Sequence, residues 1–257
     1  MVSLVLAAAL AAQPPPADLP PCPSGEDQPD VVKLMNRTER VLEGRSSISV
    51  VTMAIKTPAY QRAVTMTLWT KGRDFALIRV LEGGPRETGM MTLKREKQLW
   101  NYLPQAGRVM KLPSGMMGDS WMGSDFTNDD LVRGSSIASD FDSKVEKTVE
   151  HEGRKAWFVT LKPRASAKVV WGKVEMLLDR ETCAPLEQRF FDEEGALARR
   201  MAFSDLKQVG WRTFPMKLTV QPAEKGRETS MTYESVELDV DVPDDTFSLR
   251  RLQQARD

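Results

Sequence analysis

LWNYLPQAGRVMKLPSGMMGDSWMGSDFTNDDL, Leu99 to Leu131, holds two Trp and four Met around a run of Gly, Ser and Asp. Soft apolar side chains beside so many polar chain breakers have two readings. Either a core is interrupted by a loop, or the stretch lines a site for an apolar ligand. The periodicity on both sides decides what carries it.

That periodicity is two. In RAVTMTLW, Val64, Met66 and Leu68 alternate with Ala63, Thr65 and Thr67. WFVTLK sets Trp157, Val159 and Leu161 against Phe158, Thr160 and Lys162, and KVEMLLD and MKLTVQ repeat the pattern through Met176 and Leu218. Side chains two apart share one face of a strand, so each run is a half-buried strand. KGRD, EGGPRE, PQAG, HEGRK, DEEG and EKGRE separate the runs with turn residues. The pattern predicts a long antiparallel meander in one domain, mainly β (α+β), closed as a barrel or left as a strongly curved open sheet.

Two helices interrupt the alternation. Asp30 can cap a helix in which Val31, Leu34, Met35, Val41 and Leu42 recur at helical spacing, with Gly44 as its stop and a length of about four turns. The second fits SWMGSDFTNDDLVRG. There Ser124 or Asp125 can cap one turn, and Thr127 to Asp130 forms a capping box before Leu131 and Val132. Such a helix lies between strands and must pack on the sheet.

The 257 residues, 41% hydrophobic and 28% charged, describe a globular chain. Lys plus Arg and Asp plus Glu are equal at 36, so net charge gives no reason to expect a nucleic-acid partner. One His and two Cys leave little material for a transition-metal site. Residues 1–12, MVSLVLAAALAA, read as a signal peptide in which Ala9 and Ala11 fit the A-x-A cleavage pattern. The apolar run is too short to span a bilayer, and no Lys or Arg precedes it, which leaves room for a start upstream of Met1. Residues 13–29 read as a Pro-rich disordered leader, and 30–257 as the folded domain. After export, Cys22 and Cys183 can form one disulfide tying the N-terminal arm to the body; two unpaired thiols are the alternative. Cys22 is a poor lipidation site, because LPPC places Pro where small residues are wanted.

Catalytic signatures are missing. His151 sits in a hairpin turn as a solvated residue. GDSW, Gly118–Trp121, resembles the Gly-Asp-Ser-Leu block of a hydrolase family, but no His follows 151 to complete that set. There is no G-x-S-x-G, P-loop or dinucleotide fingerprint. Asp119, Asp125, Asp129 and Asp130 lack EF-hand spacing and are explained by helix capping. No enzyme and no cofactor are expected. Binding has more support: the chain holds 14 Met, whose flexible thioethers suit variable apolar shapes, and several cluster in a Gly-rich segment expected to move. Among the basic residues Lys94, Arg95, Lys97, Arg108 and Lys111, most are expected to be solvated.

LWNYLPQAGRVMKLP followed by SWMGSDFTNDDL resembles the outer-membrane lipoprotein-sorting proteins, LolA-like members of the wider LolA/LolB/RseB-like superfamily. The match rests on Trp100, Tyr102, Pro104, Arg108, Lys111, Gly123, Ser124, Asp125, Phe126 and Leu131. It extends more weakly from Asp30 to Leu252, through Leu177–Gly195 and Val242–Leu249. Cys183 and the leader with Cys22 depart from the family pattern.

The resemblance implies an unclosed β-barrel with helices over its concave face and a cavity for lipid acyl chains. It implies a periplasmic carrier, cofactor-free, shuttling a lipid or lipoprotein from an inner-membrane transporter toward an outer-membrane acceptor. An RseB-like envelope sensor, a protein-interaction module or an accessory subunit of a lipid transporter is the alternative. The expected cavity residues are Met66, Leu68, Trp69, Met91, Leu93, Trp100, Met110, Met116, Met117, Trp121, Met122 and Phe126. Arg108, Lys111 and Asp125 are expected at its mouth, with the two cations meeting Asp125 or a ligand headgroup.

Overall fold

In a computed structural model, which describes residues 16, 19, 21–132, 140–167 and 169–253, Asp30 caps the first helix. Its Oδ1 accepts from the amides of Val32 at 3.0 Å and Lys33 at 3.1 Å and starts α1, Val31–Leu42. Satisfying two of the orphan amides fixes where the helix begins. It ends as Glu43 turns extended. Gly44 then passes so close to the Ser46 carbonyl that a Cβ there would lie 2.7 Å from it, which explains the glycine after the stop.

The alternating runs form one sheet of thirteen antiparallel strands that does not close. The first meander is β1 (Ser46–Lys56), β2 (Gln61–Lys71), β3 (Phe75–Glu82), β4 (Met91–Arg95), β5 (Gln98–Leu103) and β6 (Arg108–Lys111). The second is β7 (Phe141–His151), β8 (Arg154–Pro163), β9 (Lys173–Asp179), β10 (Pro185–Phe191), β11 (Leu197–Val209), β12 (Arg212–Pro222) and β13 (Glu228–Leu238). They join where β1 pairs with β13, so β6 and β7 become the two edges. The fold is mainly β, an unclosed barrel.

Register assigns the faces. Val51 stands opposite Met66 and Tyr233, Met66 opposite Val80, and Met201 opposite Val220, so these residues share the inner face. The same face continues through Met176 and Val159 to Val145. On the second meander α1 covers it, burying Leu34 and Met35 against Phe141, Trp157, Val159 and Leu178. On the first meander the outer face is covered too. Val242, Phe247 and Leu252 of the C-terminal segment pack on Leu77, Met91 and Leu93, with the Phe75 and Phe247 rings 5.8 Å apart.

Cys22 and Cys183 are disulfide-bonded, their Cα atoms 5.8 Å apart. Beside them the Arg180 guanidinium donates to Asp27 at 2.6 Å and to the Glu26 carbonyl, and Trp157 Nε1 donates to the same carbonyl. The Pro-rich composition predicts an unstructured leader over 13–29, yet residues 21–29 are stapled to the body by these contacts. Composition does not register a disulfide partner 161 residues away. The signal-peptide reading, residues 1–12, lies outside the described residues. No helix among the described residues is long and apolar enough to cross a membrane.

Candidate functional site

Because β6 and β7 are opposite edges, the segment joining them has to cross the sheet. Its described part, up to Val132, reaches the inner face. After β6 it forms a short turn at Trp121–Gly123, where Met122 and Gly123 both take left-handed backbone (φ 52° and 67°). It then enters α2, Asn128–Val132. The reversal drives two aromatic rings inward. Trp121 is 3% exposed and Phe126 7%, packed among Val51, Met53, Ile55, Val64, Met66, Ile78 and Val80. The segment expected to be mobile is therefore a plug seated on the sheet.

Local chemistry holds its shape. Thr127 and Asp130 form the capping box: the Thr127 amide donates to Asp130 Oδ2 at 2.9 Å and the Asp130 amide to Thr127 Oγ1 at 3.1 Å. Ser124 Oγ donates to the Trp121 carbonyl at 2.7 Å and accepts from the Phe126 amide at 3.2 Å. The Trp121 amide donates to the Phe126 carbonyl at 2.8 Å.

Three groups of partners on the sheet pin the plug. Arg199 of β11 donates to both Asp130 oxygens at 2.7 Å each while lying over the Trp171 and Phe190 rings. Burial alone would raise the Asp130 carboxyl; the Arg199 and Thr127 bonds outweigh it and hold the group below its ordinary value. Asp125, with a side chain 3% exposed, accepts from Arg227 at 2.9 Å and from Thr229 Oγ1 at 2.8 Å, and its amide donates to the same hydroxyl. Arg62 donates to the Met122 carbonyl, and Tyr60 to that of Gly123 at 3.3 Å. Two groups are left over: among the described residues, Trp121 Nε1 and Arg199 Nε are buried with no hydrogen-bond partner.

Beside α2 the inner face opens into a cavity of about 220 Å3 between the end of α1 and strands β1 to β4, β12 and β13. Its wall includes Leu68, Phe75, Leu131, Phe214, Tyr233 and Leu238, with Ser47, Ser49, Thr70, Arg73 and Lys94 among its polar members. Leu68, Leu131 and Tyr233 also pack on the cluster around Trp121 and Phe126, so plug and cavity are continuous. Burial raises the Tyr233 phenol above its ordinary value, leaving it neutral.

The residues singled out from sequence divide between places. Met66, Leu68, Trp121, Met122 and Phe126 meet on the inner face. Trp69, Met91, Leu93 and Trp100 belong to the outer face under the C-terminal segment, where Trp69 and Met91 border a separate cleft of about 250 Å3. Met110 and Met116 are exposed, and Met117 is half-buried. Arg108 and Lys111 do not meet Asp125: Arg108 is exposed on β6, and Lys111 lies 5.6 Å from the Trp100 ring centre. Asp125 takes Arg227 and Thr229 instead, because the plug carries it away from β6 to the β12–β13 turn. Arg62, Arg199, Arg227 and Thr229 were not legible as site residues. Lys94 is 8% exposed rather than solvated.

A family model described as "-like: Uncharacterized protein" matches residues 72–254, well over half of the chain. The chain belongs to that family. No curated protein matches the sequence. Three solved structures show what the fold is similar to. A DUF1329 family protein from Desulfovibrio piger superposes with a TM-score of 0.77 at 18% identity, covering 86% of this chain and 97% of its own. A domain described as an outer membrane lipoprotein-sorting protein, from Vibrio parahaemolyticus, gives 0.72 at 19% identity, with 86% and 97% covered. A LolA superfamily protein from Nitrosomonas europaea gives 0.67 at 17%, with 85% and 97% covered. The fold of this chain is LolA-like.

Proposed function

We propose that the protein is an exported, periplasmic carrier that takes acyl chains of a lipid or lipoprotein on the inner face of its sheet. The plug is the movable part. In the closed form Trp121 and Phe126 fill the face that a chain would occupy, and Met66, Leu68, Met122 and Leu131 surround them. The observation that carries this reading is the continuity of plug and cavity through Leu68, Leu131 and Tyr233. A chain entering at the cavity meets the plug directly. The LolA-like fold, shared with a domain described as lipoprotein-sorting, supports the same cargo class.

The energetics suit reversible exchange. Each methylene moved from water to an apolar site gains about 0.8 kcal/mol, so moving it between two apolar sites is nearly neutral. Against that balance the closed plug carries an unpaired indole N–H, at a cost of about 1–3 kcal/mol, which displacement of Trp121 relieves. Binding and release then turn on which apolar groups fill the face, and the plug supplies its own competitor for the ligand. Arg108 and Lys111 on the exposed edge strand would meet headgroups during transfer.

Native mass spectrometry of the protein recovered from the cell envelope, followed by organic extraction, tests the reading. A discrete added mass that extracts as an acylated lipid is the expected result. A clean apo mass, with no uptake from lipid vesicles, would overturn it.

A further inference from the structure

Lys94 is a cation in the wrong place for a solvated side chain. On β4 it stands opposite Ala76, which stands opposite Thr70, and this register puts it on the inner face. It is 8% exposed and lines the cavity. Among the described residues it makes no hydrogen bond or ion pair. Glu43, which also borders the cavity, is engaged by Arg73 at 2.8 Å, and Asp74 is too far for an ion pair. Burial pulls the Lys94 ammonium below its ordinary value; Asp74 and Glu43 favour its charge and Arg73 opposes it. A largely buried lysine whose ammonium faces a cavity and has no protein partner is open to pairing with an anionic group there.

The rest of the cavity says what that is. Leu68, Leu131, Phe214 and Leu238 make an apolar wall, which leads through Leu68 and Leu131 to the plug. Resting on the carrier reading, we infer that Lys94 binds the anionic head, carboxylate or phosphate, of a single-chain amphiphile. The head sits in the cavity, and the chain runs along Leu68 into the space held by Trp121. A compact three-donor ammonium suits either oxyanion.

The test is calorimetric titration of the intact protein with oleate, oleoyl lysophosphatidate, the uncharged monoolein and inorganic phosphate, repeated on Lys94→Met and Lys94→Gln. At least one anionic amphiphile should bind tenfold or more tighter than monoolein. Both variants should lose that preference while keeping monoolein binding, and Lys94→Met should melt at a higher temperature in the ligand-free state. Oleate against lysophosphatidate tells which oxyanion the site takes. A preference that survives both variants would overturn the role of Lys94 and leave the carrier reading intact, as would equal binding of monoolein by the wild type. Binding of inorganic phosphate alone would make the site a free-ion site. Failure of every amphiphile would overturn both.

Discussion

Arg199 donates two hydrogen bonds of 2.7 Å to the carboxylate of Asp130, and in doing so ties the short helix of the crossing segment to strand β11. The pair is mostly buried, so cutting it leaves a desolvated charge. Asp130→Asn is expected to lose about 2–5 kcal/mol of stability and to speed uptake of a fluorescent fatty acid. Urea unfolding and stopped-flow uptake measure the two effects. Unchanged uptake with lowered stability would mean that the pair supports the fold and does not gate the site.

The same pair sets a pH dependence. The Asp130 carboxyl is held below its ordinary value, so its stabilising contribution is full above the unfolded carboxylate value of about 3.9 and is lost as pH falls through the folded one. Asp239 acts in the same direction: burial opposes its charge, but bonds from the Arg45 amide and Arg212 prevail. Stability should therefore fall steeply on acidification below about pH 4, and Asp130→Asn should flatten that slope. Denaturant midpoints measured from pH 6 downward read it.

Trp121 separates volume from polarity. Trp121→Ala removes a ring that fills the inner face and should cost about 3–5 kcal/mol. Trp121→Phe keeps most of the volume and removes the unpaired N–H, so its cost should stay below about 1.5 kcal/mol. Equal losses in the two variants would place the missing partner of Nε1 in a water or ligand that the indole needs.

Much of this arrangement could be read from the chain, and the reason for each gap is physical. Alternation along Val64, Met66 and Leu68 locates a strand and its two faces, but it does not say which face turns inward. Trp69, Met91, Leu93 and Trp100 look like cavity residues because their face is apolar too. It is apolar to receive Val242, Phe247 and Leu252, whose docking no local pattern encodes. The capping box at Thr127 and Asp130 was legible because both partners lie three residues apart. The pins at Arg199, Arg227 and Thr229 lie roughly 70 to 105 residues from the carboxylates they hold, and a lone Arg in a turn reads as solvated. Lys94 reads as one more solvated cation for the same reason, yet it is buried.

The disulfide closes a loop of 161 residues. Reducing Cys22–Cys183, or replacing both with Ser, should cost about 2–5 kcal/mol and free the arm whose contacts run through Arg180 and Trp157. Thermal unfolding with and without reductant measures the loss. Limited proteolysis before Asp30 reports the arm.

The central claim is that the plug leaves the inner face when an acyl chain arrives. Hydrogen exchange of residues 117–131, with and without a saturating fatty acid, tests it most directly. In the closed form the amides of Trp121, Asp125, Asn128 and Asp129 are bonded to the Phe126 carbonyl, Thr229 Oγ1, and the Asp119 and Met117 carbonyls. Ligand-loaded protein should exchange these amides faster while α1 and the strands beneath become more protected. Unchanged exchange across the segment in protein shown to hold the ligand would contradict the account.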